Sequence, residues 1–373
     1  MPNSEMLAIN KIIVDIEEMR AVAQVLRSGM LTSKSGSGPN VMKFENAFAN
    51  YVGTKYAVAM NSGTAALHAT LLTADIGKGD EVIVPSLTFV ATAEAVALTE
   101  AKPVFVDINP ETYCIDPSEI EMAITSRTKA IIPVHLYGLP ANMDQIMDQA
   151  KENNLVVIED AAQAHGAKQG EKFTGNLGDM ACFSFYGGKN MMTGEGGMVT
   201  TNSRSYYEVL RAVRNHGESK EYESVMLGHN YRMPEIEAAI GLVQLSKLPR
   251  FLLARRKNAK ILAEMLEGID EIQLPVTNSS SEHAWYVFTV RLLGVNASKR
   301  NKIVERIRGR HVDARVYYPK PIHLFQYYQK RFGSFKLPKT ETAARQIFSL
   351  PVHPGLSVRD LRQIANAVKS SLD

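Results

Sequence analysis

Between about residues 55 and 200 the apolar positions fall into short solid blocks, each followed by a longer stretch with helical spacing. The blocks "YAVAM" (56–60), "EVIVPS" (81–86), "KPVFVDI" (102–108), "AIIPVH" (130–135) and "LVVIED" (155–160) are rich in β-branched residues. A strand buried on both faces reads as such a block, because neither face has to be polar. Stretches such as "TAALHATLLTADI" (64–76) and "MDQIMDQAKENN" (143–154) supply helices to cover it. The pattern predicts an α/β fold, a mostly parallel central sheet with flanking helices. After "LVVIED" the rhythm changes. "MACFSF" (180–185) and "GMVTT" (197–201) are joined by a loop too short for a crossover helix, so an antiparallel strand is expected there.

Pro234 opens a helical pattern with Ile236, Ala239, Ile240 and Val243 on one face, and proline suits a first turn. Pro249 interrupts that pattern, and "RFLLARRKNAKILAEMLEGI" is expected to resume it as a second long helix. The expected division is a large domain over residues 1–250 and a smaller C-terminal α/β domain over 251–373. Residues 1–54 fall to the first, and their contribution to a substrate site and a dimer is implied only by the family resemblance carried by the motifs quoted below. The smaller unit holds "AWYVFTVRLL" (284–293), "SKRNKIVERIRGR" (298–310) and "LSVRDLRQIANAVKSSL" (356–372), and "VTNSSSEH" (276–283) reads as a surface loop.

Composition narrows the partners. A chain of 373 residues, 45% hydrophobic and 22% charged, has material for two or three packed units. Its net charge of +3 is scattered, whereas a nucleic-acid binder concentrates its basic residues, so no nucleic acid is expected. Cys114 and Cys182 sit in apolar surroundings and read as buried free thiols; no disulfide or metal site is expected. The start "MPNSEMLAINKIIVDIEEM" lacks the features of a signal peptide, and no run reaches about 18 apolar residues. A cytoplasmic protein away from the membrane is expected. The triplets Asn278-Ser279-Ser280 and Asn296-Ala297-Ser298 match a glycosylation pattern that carries no weight without secretion.

The ends of the predicted strands are rich in chemistry, and ligands of open α/β sheets lie beyond those ends. After "YAVAM" comes "NSGTAALH", with Gly63 and Thr64 at a helix start where backbone N–H groups face an anion; a plain capped helix is the competing reading. "LVVIED" ends in Glu159 and Asp160, of which only one faces the same side as Ile158. Gln163 follows, and His165 reads as a core histidine. The next strand ends at Ser184, and Lys189 lies in "SFYGGKNMMTGEGG" (184–197) among glycines and apolar residues. A lysine in a partly desolvated pocket gives up its proton more readily and becomes a nucleophile able to form a Schiff base. Pyridoxal 5'-phosphate needs this set: lysine for its aldehyde, a helix N-terminus for its phosphate, a carboxylate for its ring nitrogen. Phe89, just past a strand, either stacks on such a ring or is a core aromatic.

In these residues the sequence resembles the DegT/DnrJ/EryC1/StrS family of sugar aminotransferases. The resemblance runs through "NSGTAALH", "DEVIVPSLTFVATAEAV", "AIIPVHLYG", "VIEDAAQAHGA", "SFYGGKNMMTGEGGMVTTN", "GHNYRMPEIEAAIGLVQL" and "YYPKPIH", in family order. It implies the type I fold of pyridoxal-phosphate aminotransferases, working as a homodimer with sites completed across the interface. By position it makes Lys189 the Schiff-base lysine and proton carrier, and puts Asp160 at the ring nitrogen and Gln163 near the ring hydroxyl. Gly63, Thr64 and Ser184 take the phosphate, Phe89 stacks on the ring, and Asn230 reaches the phosphate held by the partner subunit. A branch that carries histidine in place of the lysine removes a sugar hydroxyl instead; position 189 is lysine here.

The implied reaction is ping-pong transfer of an amino group, from L-glutamate, to a nucleotide-linked keto sugar in amino-sugar and polysaccharide biosynthesis. The resemblance places "SGMLTSKSGSG" (28–38), with Thr32 and Lys34, near the sugar nucleotide, and Tyr318 and His323 in "YYPKPIHL" (317–324) are expected partners for its diphosphate. The second of these segments reads equally as a turn packed between domains. The alternatives are an aminotransferase for a cyclitol or other unlinked keto sugar, and a regulator that keeps the fold without turnover.

Overall fold

The computed structural model of the protein describes residues 6–277 and 280–372; Asn278 and Ser279 of the first glycosylation-like triplet lie outside them. The apolar blocks become strands β1 (Tyr56–Met60), β2 (Glu81–Pro85), β3 (Lys102–Val106), β4 (Thr128–Ile131) and β5 (Val156–Asp160). A short hairpin, β6 (Lys168–Gln169) and β7 (Lys172–Phe173), precedes β8 (Met180–Ser184) and β9 (Gly197–Thr201). Seven of these form one sheet in the order β1-β9-β8-β5-β4-β2-β3. Strands β5, β8, β4, β2 and β3 pair in parallel, while β9 runs antiparallel to both β1 and β8, as the short 185–196 connection requires.

Both faces of the sheet are covered. The helices are α1 (Ile16–Ser28), α2 (Pro39–Val52), α3 (Gly63–Thr73), α4 (Ala91–Leu98), α5 (Pro117–Ala123), α6 (Met143–Glu152), α7 (Arg204–Arg214) and α8 (Glu235–Leu266). Side chains alternate along each strand, so Val58 and Met60 of β1 join α3 and α4 on one face, while Ala57 and Ala59 join α2 and α8 on the other. On the second face Phe44 meets Phe185 at 5.2 Å and Phe48 meets Phe183 at 4.9 Å between ring centroids. Truncating one of these rings to alanine costs about 3–5 kcal/mol. Helix α3 is apolar nearly all round because it is enclosed between β8, α4 and α7.

The expected break at Pro249 does not occur: α8 is one helix of 32 residues with Pro249 inside it. Proline has no N–H to give the Leu245 carbonyl four residues back, and the helix runs on with that one bond missing. After the hairpin β10 (Glu218–Lys220) and β11 (Glu223–Ser224), and beyond α8, come β12 (Ile272–Gln273), β13 (Ser281–Glu282), β14 (Phe288–Leu292) and β15 (Ile347–Leu350). With them come α9 (Ala297–Arg308), α10 (Gln326–Phe332), α11 (Pro338–Gln346) and α12 (Val358–Leu372). Strands β12, β14 and β15 form a second sheet that shares one core with α9, α12 and the end of α8. The segment from 317 to 347 departs from that unit: Ile322, Tyr328 and Ala343 pack into the cores of the large sheet. Part of the expected 276–283 surface loop is a strand, since β13 pairs with β6.

Candidate active site

Three strand ends finish level at one edge of the sheet, where Met60 of β1 pairs with Gly197 of β9 and Gly197 pairs with Ser184 of β8. A Cβ on Gly63 would stand 2.7 Å from the Cβ of Ser184, and one on Gly197 would collide with the Ser62 carbonyl. Glycine at both positions is what lets the first turn of α3 lie against the end of β8. Ser62 caps the helix, its Oγ accepting from the Ala65 N–H at 3.0 Å. Among the described residues the N–H groups of Gly63 and Thr64 have no acceptor. With Ser184 Oγ beside them, they form a corner suited to an anion.

The two carboxylates of β5 face opposite ways and meet opposite fates. Glu159 is buried and saturated: its oxygens accept from the N–H groups of Gly175, Leu177 and Gly178, each at 2.8 Å, and from His135 Nε2 at 2.8 Å. His135 Nδ1 accepts from the Ala141 N–H, so the imidazole is neutral with its proton on Nε2. The carboxylate of Asp160, 6% exposed, accepts among the described residues only from Thr92 Oγ1 at 2.8 Å and the Ala162 N–H at 3.2 Å. Burial raises its pKa, and the Thr92 hydroxyl, the Ala162 N–H and the charge of Lys189 only partly offset this. Such a carboxylate is short of a cation.

Lys189 lies on the loop after β8, where its backbone N–H donates to the Tyr186 carbonyl at 2.9 Å. Its Nζ stands 4.9 Å from the centroid of the Tyr286 ring. No carboxylate is within ion-pair distance of it among the described residues. Burial lowers its pKa to about 8, against a raising pull from the charge of Asp160. The neutral amine is therefore accessible near neutral pH.

The remaining expected residues divide. Gln163 is buried, its Oε1 accepting from the Tyr137 N–H at 2.9 Å and its Nε2 donating to the Tyr318 hydroxyl at 3.4 Å. Phe89 is 53% exposed, which removes the core reading, and its ring lies 6.1 Å from that of Tyr318. Tyr318 thus joins Gln163 and Phe89. His323 does not: it is 1% exposed, its Nδ1 is 2.7 Å from Ser86 Oγ and its Nε2 is 3.6 Å from Glu341. A side chain so enclosed cannot meet a substrate diphosphate, and its turn is the packed one. Thr32 is exposed, and Lys34 is paired with Glu221 over the Tyr222 ring. Asn230 is exposed in the single chain, and its carbonyl accepts from Asn61 Nδ2 at 3.3 Å.

Pattern reading missed Thr92, His135 and Tyr286. Only Thr92 left a trace, its spacing of four from Thr88 across the start of α4, where the two hydroxyls stand 3.2 Å apart. His165 is buried against Phe183 and Phe185 with its pKa pulled down to about 3, so it is neutral.

Pyridoxal phosphate fits these residues: an anion corner, a buried carboxylate short of a cation, and an amine readily freed of its proton converge at one sheet edge. In class this is a vitamin B6-type transferase. The model of the DegT/DnrJ/EryC1/StrS aminotransferase family matches residues 13–369, and the chain belongs to that family. GDP-perosamine synthase of Caulobacter vibrioides is 39% identical over 341 residues, 91% of each chain. The dTDP-3-amino-3,4,6-trideoxy-alpha-D-glucose transaminase of Streptomyces venezuelae is 39% identical over 362 residues, 95% of this chain and 93% of that one. Among solved structures, S. venezuelae DesV in complex with a ketimine intermediate matches with a TM-score of 0.90 at 38% identity, over 96% of this chain and 95% of that one. No helix among the described residues is long and apolar enough to cross a membrane.

Proposed function

We propose that this aminotransferase moves the amino group of an amino acid, L-glutamate by family expectation, onto a nucleotide-linked keto sugar in two half-reactions at one lysine. The observation that carries this is Lys189, a partly desolvated amine without a carboxylate partner beside the anion corner and Asp160. Pyridoxal phosphate, when bound, supplies an aldehyde for that amine and an electron-withdrawing ring. Gly63 and Thr64 through their N–H groups, with Ser184 Oγ, would hold its phosphate; Asp160 would hold the ring nitrogen, with Gln163 by the ring hydroxyl and Phe89 against the ring. A protonated ring nitrogen would supply the cation that buried Asp160 lacks. Once released by the incoming amine, Lys189 takes the α-proton of the donor at Nζ and hands it on. A pKa near 8 suits both directions of that transfer.

A second copy of the chain completes the site in this reading, with Asn230 serving the partner's phosphate corner. Exposed Ile12, Val14, Ile16, Met19, Met30 and Leu31 offer apolar surface for that copy. The large domain to residue 250 then carries the cofactor, and the small one from 251 closes its far side. Tyr318 is the substrate-facing residue of its segment, and Thr32 and Lys34 meet the sugar nucleotide only in the assembled dimer. Free Cys114 and Cys182 agree with a cytoplasmic setting. Two relatives are named for GDP- and dTDP-linked sugars, which supports the nucleotide link.

The test is amination of GDP-, UDP- and dTDP-linked keto sugars against free keto sugars and keto cyclitols, with glutamate, read by mass spectrometry. At least one nucleotide-linked substrate should exceed every free one in kcat/KM by about 100-fold or more. Equal or better turnover of a free substrate would overturn the nucleotide link.

A further inference from the structure

We propose that Asn10 is a positioning residue for Lys189, a role that rests on the assignment of Lys189 above. Asn10 Nδ2 donates to the carbonyl of Gly188 at 2.6 Å, at the peptide that enters Lys189. Its Oδ1 accepts from Arg255 Nη2 at 3.0 Å. Arg255 is buried, and Nη1 donates to the carbonyls of Trp285 at 3.0 Å and Tyr286 at 3.1 Å. The ring of Tyr286 in turn faces Lys189 Nζ. These contacts close a circuit, from Asn10 through Gly188 to Lys189 and back through Tyr286 and Arg255. Asn190 fastens the other side of the lysine, its Nδ2 donating to the Ala284 carbonyl at 2.9 Å.

Asparagine suits the post because one planar amide both donates and accepts. The segment carrying it is itself held. Leu7 N–H donates to the His311 carbonyl at 2.8 Å, His353 Nε2 meets the Ala8 carbonyl at 3.1 Å, and Gln244 Nε2 donates to the Ile13 carbonyl at 2.8 Å. Ile12 also lies on the loop, its Cδ1 3.3 Å from where a Cβ on Gly187 would stand. An N-terminal strap thus fixes the carbonyl before the reactive lysine, and a misplacement of about 1 Å there can cost on the order of 100-fold in rate.

The experiment compares wild type with Asn10→Ala and Asn10→Asp in cofactor-free full-length protein. Trace acetic anhydride labels lysines across a pH series, and mass spectrometry reads the titration midpoint of Lys189. Aspartate keeps an acceptor for Arg255, so this variant folds, but it has no donor for the Gly188 carbonyl. Both variants should raise the Lys189 midpoint by about one pH unit as water reaches the amine. In the reconstituted enzyme both should lower kcat about 10- to 100-fold with the sugar KM within about twofold. A wild-type Lys189 titration in Asn10→Asp overturns the proposal, even if Asn10→Ala fails to fold. Borohydride reduction of the wild-type holoenzyme separates the two failures. A pyridoxyl tag on Lys189 with unchanged titration removes only the role of Asn10, whereas no tag on Lys189 removes the functional reading itself.

Discussion

Lys189 and Lys247 are both lysines withdrawn from water, and their surroundings drive them in opposite directions. Lys247, 6% exposed, has Nζ 2.8 Å from Asp15, 3.1 Å from Glu17 and 2.8 Å from Glu18. Burial pulls its pKa down, but the hydrogen bonds its ammonium donates to those three carboxylates overcome that and leave it raised. Lys189 has the burial without the carboxylates; it faces the Tyr286 ring and its pKa falls to about 8. Burial alone does not make an amine a reagent. Withholding its counter-ions does, and the lysine with three of them is a fastener between α1 and α8.

That contrast breaks first at Lys189. Lys189→Ala should lower turnover by at least about 1,000-fold, measured as keto-sugar amination, while the circular dichroism spectrum stays that of the parent. Lys247→Ala should do the reverse: it strands buried Glu18 and costs about 3–5 kcal/mol in urea unfolding, with kcat per folded molecule unchanged. The acidic side of that cluster sharpens the point. Glu18 has its pKa lowered from 4.5, so its contribution is full above that value and is lost as pH falls through the lower folded one.

The neighbouring carboxylates repeat the contrast on a smaller scale. Glu159→Gln exchanges an acceptor of three backbone N–H groups for an amide that can serve only some of them, and should cost about 2–4 kcal/mol in urea unfolding. The pH titration of Lys189 in that variant should match the parent, because Glu159 faces away from it. The smallest effect is on the cofactor-free protein. A lysine with a folded pKa near 8 and an ordinary one of 10.5 destabilises the fold below pH 8, and the penalty fades as pH rises between the two values. Lys189→Met should therefore stabilise the cofactor-free protein by roughly 1–3 kcal/mol at pH 7, and the gain should vanish by about pH 10.5 in thermal scans. A gain that grew with pH would contradict the sign.

Much of the scaffold was legible because it is local. Solid apolar blocks such as 81–86 gave strands buried on both faces, and the short 185–196 connection gave the antiparallel β9. The chemistry at strand ends was legible for the same reason, as Gly63, Asp160 and Ser184 each follow directly from a readable strand. Pro249 misled because its cost is a single backbone bond, and packing along α8 outweighs it. The return of residues 317–347 to the large sheet, and with it the enclosure of His323, depends on contacts more than 200 positions apart, as between Ser86 and His323. Asn10 touches Gly188 across 178 positions and Arg255 across 245, distances at which no periodicity carries information.

The most direct measurement is borohydride reduction of the native holoenzyme, followed by digestion and peptide mapping. The expected result is a single pyridoxyl adduct on Lys189, in the peptide spanning 184–197. An adduct on Lys247 or any other lysine, or none in a protein saturated with pyridoxal phosphate, would contradict the claim that the lysine without counter-ions is the reagent.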